Sequence, residues 1–401
     1  MFPNPHDALP LPPQPSLEQY KKRAKDLLKA SQSPYPAAIR TWAAGWIDSL
    51  LRLSGLTLTP RLPVRIQHWT EQLDSFARQK LSEDRTLSAA QFVIARAHGF
   101  ESWPKLARHI EAAAAKNSPL NDFEQAVDAI VTGNLNALEN LLRAHPDLAR
   151  ARSSRRHQAT LLHYVSANGI EGYRQKAPAN IVPIAERLLN TGADVNAIAD
   201  LYGGSTTLAL VATSLHPERA GVQLALLQSL LDHGATIDAA NSPTTLVTAC
   251  LANGRPQAAE FLAAHGAKVD LEAAAGLGHL ELVRIFIEDS ATNAEPTEEQ
   301  KERALLWACE YGRNPVVEFL LEHGVNIESQ ANTGQSPLHW AVIGGHADTV
   351  TLLLNRGANL EARNIYGGTA LGQALWSAAN GDPAIDYAPI ITLLKQHAAK
   401  P

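Results

Sequence analysis

Three histidines, His233, His265 and His323, each stand directly before a glycine. The chain has 15 histidines in all, so bound metal is the first chemistry to weigh. A metal shell needs several donors converging on one point. One residue type recurring at one position of successive segments instead marks a structural role or stacking along an array. No HExxH, HxH or CxxC pattern accompanies these residues, and no metal or other cofactor is expected. The two cysteines, Cys250 and Cys309, read as small thiols buried in helices, since a nucleophilic thiol needs a polar, partly open setting. No GxSxG occurs, and no GxxxxGK precedes Ser or Thr. Tyr202-Gly203-Gly204 and Tyr366-Gly367-Gly368 read as turns, because neither leads from a strand as a phosphate loop does. Arg150, Arg152, Arg155 and Arg156 form a basic segment. A solvated connector is the plainer reading, and a grip on phosphate or an acidic partner is the alternative.

The elements that must position these groups begin with composition. In 401 residues, 45% are apolar and 19% charged, which excludes wholesale disorder. Residues 1–117 hold 16 basic and 10 acidic residues, net +6; residues 118–401 hold 19 and 30, net −11. The first part is too weakly basic to suggest a nucleic-acid protein, so nucleic acid is an unlikely partner. The N-terminus lacks the basic start and apolar core of a signal peptide, and no run approaches the ~18 apolar residues of a membrane span. The expectation is a soluble, cytoplasmic, monomeric protein without membrane contact.

Residues 1–15 contain six prolines and read as a flexible lead-in. Ser16 fits an N-cap with Gln19 at the capping-box position. Helices are predicted over Leu17–Ala30, over 37–53 and from Val64 to Leu81, with Pro60 and Pro63 as punctuation. Ser88 is expected to cap a helix ending at His98, with Gly99 as terminator, and Ser102 to cap the next, with Pro104 in its first turn. Residues 16–117 thus read as an all-helical domain of about five helices. The pair around Gly99 invites comparison with a helix-turn-helix, but the second helix is rich in alanine and offers few base-reading side chains. Trp42, Trp46, Trp69 and Trp103 read as its core.

From residue 118 the chain repeats itself. The segment starting at Leu305 and that starting at Leu338 align at 33 residues: Trp307 with Trp340, Gly312 with Gly345, Gly324 with Gly357, Glu328 with Glu361. The same ruler places eight copies at about 118–153, 154–198, 199–240, 241–268, 269–291, 292–329, 330–362 and 363–401. Each pairs two helices too short to form a core alone, so neighbours must cover one another. Trp307, Trp340 and Tyr164 share a register, which favours stacking between copies over a ligand cage.

This pattern resembles the ankyrin repeat. Ser336-Pro337-Leu338-His339-Trp340-Ala341 carries its leading motif with Ser for Thr, and Thr160-Leu161-Leu162-His163 a looser version. LLNTGADVN, LLDHGATID, FLAAHGAKVD, LLEHGVNIE and LLNRGANLE carry the second-helix motif. The helical leader is reminiscent of bacterial proteins of this type. The resemblance implies an all-α solenoid of helix-turn-helix pairs joined by short β-turn connectors. Ser336, Thr160 and Thr369 are expected as helix caps, and His339 and His163 as bonded to the neighbouring connector. Insertions near 170–180 and 215–222 are expected as longer loops. Leu271 follows Gly266 by five residues where clean copies step by 14, so one projecting turn is missing.

The resemblance implies a non-enzymatic scaffold that binds another protein on a concave face, and the acidic charge of 118–401 suggests a basic surface on that partner. By register that face holds Tyr202, Asn253, Glu310, Tyr311, Asn332, Thr333, Gln335, Ile343, Arg363, Ile365 and Tyr366. The leader and the polar tail after Leu394 would cap the two ends. The alternative is an enzyme or regulatory subunit with a pocket between leader and array.

Overall fold

The computed structural model describes every residue except 1, 5–6, 13–14, 54–61, 116–117, 239–243, 290–295, 383 and 399–401. Pro60 and the last residues of the polar tail therefore lie outside the described residues. Two compact units are formed, 1–237 and 238–401.

The first unit opens with five helices: α1 (Leu17–Ser31), α2 (Ala38–Leu53), α3 (Leu62–Glu83), α4 (Leu87–Ala97) and α5 (Trp103–Ala114). Ser16 caps α1, its hydroxyl accepting from Gln19 N at 3.5 Å. The cap of α4 is Thr86, whose hydroxyl accepts from Ala89 N, and not Ser88, which lies within the helix. The earlier start lets Leu87 join the core-facing stripe. Ser102 occupies the N-cap of α5 without a side-chain bond. Gly99 adopts the left-handed conformation (φ 80°) that ends α4. Trp46 and Trp69 are buried among Leu27, Val93, Ile94 and Phe100, while Trp42 and Trp103 pack against this core half-buried. His98 lies edge-on to Tyr20 and Trp46 at 5.2 and 5.3 Å. Part of the lead-in is drawn in as well: Ala8 and Leu9 are buried, and Leu9 N donates to Ala97 O at 2.8 Å.

The same unit continues through α6 (Pro119–Thr132), α7 (Leu135–Ala144), α8 (Ile181–Asn190), α9 (Thr207–Ala212), α10 (Leu215–Arg219) and α11 (Gln223–Asp232). Thr160 heads a 3-10 turn, Leu161–Ser166, rather than an α-helix. Neither expected insertion is a plain loop. Residues 170–180 include a 3-10 turn at Gly172–Arg174, and residues 215–222 include α10. Among the described residues, the strands are the antiparallel pair β1 (Ile198–Ala199) and β2 (Ser205–Thr206), closed by the Tyr202 turn.

The second unit holds α12 (Leu246–Ala252), α13 (Pro256–Ala264), α14 (Leu271–Leu277), α15 (Leu280–Glu288), α16 (Glu298–Glu310), α17 (Asn314–Glu322), α18 (Pro337–Gly344), α19 (Ala347–Asn355), α20 (Ala370–Asn380) and α21 (Ala388–Ala398). The first helices α14, α16, α18 and α20 lie side by side. Their apolar rungs follow the 33-residue ruler: Leu305 and Leu338, Ala308 and Ala341, Cys309 and Val342 are all buried. Each buried leucine contributes roughly 2 kcal/mol of apolar transfer, which neither helix of a pair collects alone. Burial pushes the Cys250 thiol up to about 12 and Cys309 higher still, so both are neutral packing groups.

His339 links one copy to the next. Ser336 N–H donates to its Nδ1 at 3.3 Å, and the Ser336 hydroxyl lies 2.9 Å from the same atom. Its Nε2 lies 3.1 Å from Gly368 O in the next connector. His163 repeats the arrangement with Thr160 and Ser205 O. At the short connection after Gly266, Asp270 takes over the capping. It accepts from Ala273 N at 2.8 Å and from the Thr248 hydroxyl at 3.0 Å.

Close approach sets one glycine. A Cβ at Gly344 would overlap the Glu310 carbonyl oxygen, so α18 can lie against α16 only with no side chain there. A Cβ at Gly45, inside α2, would meet nothing within 4 Å. Gly344→Ala is therefore expected to destabilise the second unit by about 2 kcal/mol or more. Gly45→Ala should leave the first unit unchanged or stabilise it by up to ~1 kcal/mol. Denaturant unfolding with hydrogen exchange to separate the units checks both.

Candidate functional site

Of the basic segment that sequence offered as a solvated connector or an anion grip, Arg150 and Arg152 are exposed, as in a connector, whereas Arg155 is drawn inside. Arg155 is 1% exposed. Its Nε lies 3.1 Å from Glu171 Oε1, an ion pair without hydrogen-bond alignment, and its Nη1 donates to Tyr173 Oη at 3.0 Å. Glu171, fully buried, also receives the Tyr164 hydroxyl at 3.2 Å, the Tyr173 hydroxyl at 2.9 Å and Arg174 Nη1 at 3.0 Å, and sits 3.1 Å from His157 Nε2. Arg174 reaches on to Glu124 at 2.7 Å and Asp128 at 3.0 Å. Burial alone would raise the Glu171 carboxyl, but Arg155 and Arg174 outweigh it and hold the group well below the ordinary range. Burial would likewise lower Arg155, and Glu171, Tyr173 and Glu124 outweigh that.

The other three arginines also have partners within the unit. Arg150 Nε donates to Gly192 O at 2.9 Å, Arg152 Nη1 to Gln158 O and Ile198 O at 2.8 Å each, and Arg156 lies 4.0 Å from Asp200. The cluster ties the leader to the following copies. Arg156 N donates to Gly99 O at 3.0 Å, His109 Nδ1 lies 2.8 Å from the Ser154 hydroxyl, and Arg65 Nη1 donates to Gly172 O at 3.1 Å. The insertion at 170–180 supplies Glu171, Tyr173 and Arg174. It became an internal bracket because a charge taken from water must find its partner inside. The cavity beside Gly99, Arg155 and His157 has a volume of ≈ 10 Å³, too small for a substrate.

The recurring histidines likewise serve their own helices. His233, His265 and His323 place Nδ1 2.7, 2.7 and 2.8 Å from the carbonyl oxygens of Ser229, Phe261 and Phe319, four residues earlier. Each of these carbonyls also accepts the backbone N–H of the same histidine, at 3.3, 3.2 and 3.1 Å, so the ring adds a second contact at the helix end. His265 and His323 also lie against Phe261 and Phe319 at 4.1 and 4.0 Å. Among the described residues, no three His, Cys, Asp or Glu groups are arranged to hold a metal ion.

The residues predicted for a binding face fall in both units. Tyr202, in the first unit, is 66% exposed at the tip of its turn. The rest lie in the second. Asn253 is exposed at the end of α12 and donates to Ala249 O at 2.8 Å. Asn332, Ile365 and Tyr366 are exposed on connector tips, with Ile365 N donating to Thr333 O at 3.0 Å across neighbouring tips. Thr333 donates to Gln335 Oε1 at 2.7 Å, and Arg363 Nη1 to Gly367 O at 2.8 Å. Tyr311 is half-buried, its hydroxyl bonded to Leu251 O at 2.5 Å, so it braces the stack. Glu310 and Ile343 are half-buried, and burial pushes the Glu310 carboxyl up to about 7. Trp376, 60% exposed on α20, was missed. It stands 33 residues after Ile343, so the ruler itself could have found it.

Paired helices stacked on a 33-residue step, with a Ser-Pro-Leu-His cap bonded to the next connector, define a helical repeat array. Residues 271–364 match the family profile described as Ankyrin repeats (3 copies), and that stretch carries ankyrin repeats. Among solved structures it is similar to the ankyrin repeat domain of human ASB11, at 23% identity and a TM-score of 0.36, covering 69% of this chain and 98% of that one. No curated protein matches. No helix among the described residues is long and apolar enough to cross a membrane.

Two outcomes follow from the buried groups. Glu171→Gln leaves Arg155 and Arg174 without a full counter-charge and should cost about 3–5 kcal/mol, read as faster hydrogen exchange throughout residues 1–237. Burial lowers His98 to about 3 and His109 and His163 to about 4, against 6.5 in an unfolded chain. Their contribution is complete above pH 6.5 and is lost as pH falls toward 4, because the unfolded chain binds those protons first. The unfolding midpoint of the first unit should therefore drop between pH 6.5 and 4. His98→Asn, which keeps a donor for Leu9 O, should shallow that slope.

Proposed function

We propose that the protein is a non-enzymatic scaffold that binds another protein on the concave face of its array. The reading takes residues 16–117 as a helical domain that caps the array and 118–401 as the array of about eight copies. One observation carries it: Ile365 and Tyr366 are 64% and 80% exposed on a connector tip, with the exposed Trp376 on the adjoining helix α20. Large apolar side chains left exposed outside any core are what a partner surface covers. Family membership supports a protein partner, and ankyrin-repeat proteins are typically non-enzymatic. Two buried cysteines outside any disulfide fit a reducing, cytoplasmic setting, and a monomer is the simplest state for such a scaffold. The net −11 over 118–401 favours a basic partner surface, with charge speeding encounter more than it deepens affinity.

Affinity capture from the native lysate tests this, with the intact chain beside an Asn332→Ala/Ile365→Ala/Tyr366→Ala variant. Tyr311 stays untouched because its hydroxyl holds the fold. A specific protein captured by the first and reduced at least tenfold with the second is the expected result. Equal capture by both removes the concave-face reading.

A further inference from the structure

Glu310 is the last residue of α16, where the helix dipole already disfavours negative charge. Its Oε2 is shut off from solvent without a hydrogen-bond partner, and among the described residues no cation pairs with its carboxyl. A desolvated, unpaired carboxyl costs stability, and no described residue compensates it. Arg313, three residues on, donates instead to Gly276 O at 2.9 Å, and the His346 ring is bonded to the Glu310 carbonyl, not the carboxyl. Trp307, one turn earlier on the same helix face, stacks with Tyr311 at 6.1 Å and meets Trp340 of α18 at 6.0 Å.

The ruler extends this spot into a row. On successive first helices the equivalent positions are Gly276, Glu310, Ile343 and Trp376. Gly276 is buried, its carbonyl taken by Arg313, so the accessible row reads carboxyl, aliphatic, aromatic. The second unit carries 10 basic and 19 acidic residues, net −9, so the surrounding field also favours a cation.

Resting on the concave-face reading, we propose that this row binds an extended segment of a partner protein, seating a lysine or arginine of that segment against Glu310 beside the Trp307–Trp340 wall and apolar side chains against Ile343 and Trp376. Packed helices lie about 8–10 Å apart and an extended chain advances about 3.3 Å per residue. The segment is therefore a basic residue with apolar residues three and six positions away, in one chain direction. The cation gains a counter-charge and an aromatic face together, and the carboxyl, which burial has pushed up to about 7, gains the partner it lacks.

The test pans the full chain against a random 12-residue peptide library and measures enriched peptides by fluorescence anisotropy. Wild type, Glu310→Gln and Trp376→Ala are compared. Glu310→Gln is isosteric and removes an unpaired charge, and its thermal unfolding is recorded to show that it folds. Enrichment of the spaced motif is expected, with at least tenfold weaker binding to each variant. Replacing the peptide's basic residue by alanine should lose as much as Glu310→Gln, and the two losses should not add. Peptides that need Trp376 but bind Glu310→Gln unchanged overturn this inference and leave the concave-face reading standing. No enrichment, or peptides indifferent to both variants, overturns both.

Discussion

A neutral imidazole that serves two copies at once holds the array in register. In His339, Nδ1 accepts from Ser336 and Nε2 carries the proton toward Gly368 O. Protonation would remove the acceptor, and burial keeps the ring below its ordinary range. His163 performs the same task for Thr160 and Ser205. Because the cap of one helix and the carbonyl of the next connector share a single ring, neither copy can slip without breaking both. The leucine, alanine and cysteine rungs then fall opposite one another, and apolar burial follows from that register.

The first unit solves a different problem. Its copies are irregular, with a 3-10 turn for a first helix and an inserted segment, so the repeat alone cannot join them to the leader. Glu171 supplies the joint, gathering two arginines, two tyrosines and a histidine out of water. Such a cluster adds little net stability when complete and costs much when broken. Its effect is to specify one way of docking the leader. Glu171 itself sits at φ 34°, a left-handed conformation that a non-glycine residue holds only when its surroundings insist.

The second unit leaves several exposed or half-buried positions free of structural tasks. The carbonyls and amides of its tips are bonded to each other, the histidines bond their own helix ends, and Tyr311 braces Leu251. Glu310, Ile343 and Trp376 are not needed for those tasks. A scaffold is free to vary such positions, and at this row their chemistry changes from charge to apolar surface along the array.

Much of this was legible in order of residues alone. The 33-residue step, the Ser-Pro-Leu-His cap and the glycines after each second helix are local or periodic, and local geometry plus one-dimensional stacking determined the helices and their rungs. The buried thiols and tryptophans were legible for the same reason. What only the tertiary structure decided was the fate of the polar groups. Arg155 and Glu171 are 16 residues apart with no periodic relation, and whether a charge is solvated or sequestered depends on what folds over it. Glu310 differs from its neighbours by one letter, yet its lack of a partner follows from where Arg313 and His346 turn. Hydrophobic pattern is written along the chain, whereas the pairing of charges is a property of distances that exist only once the chain has closed on itself.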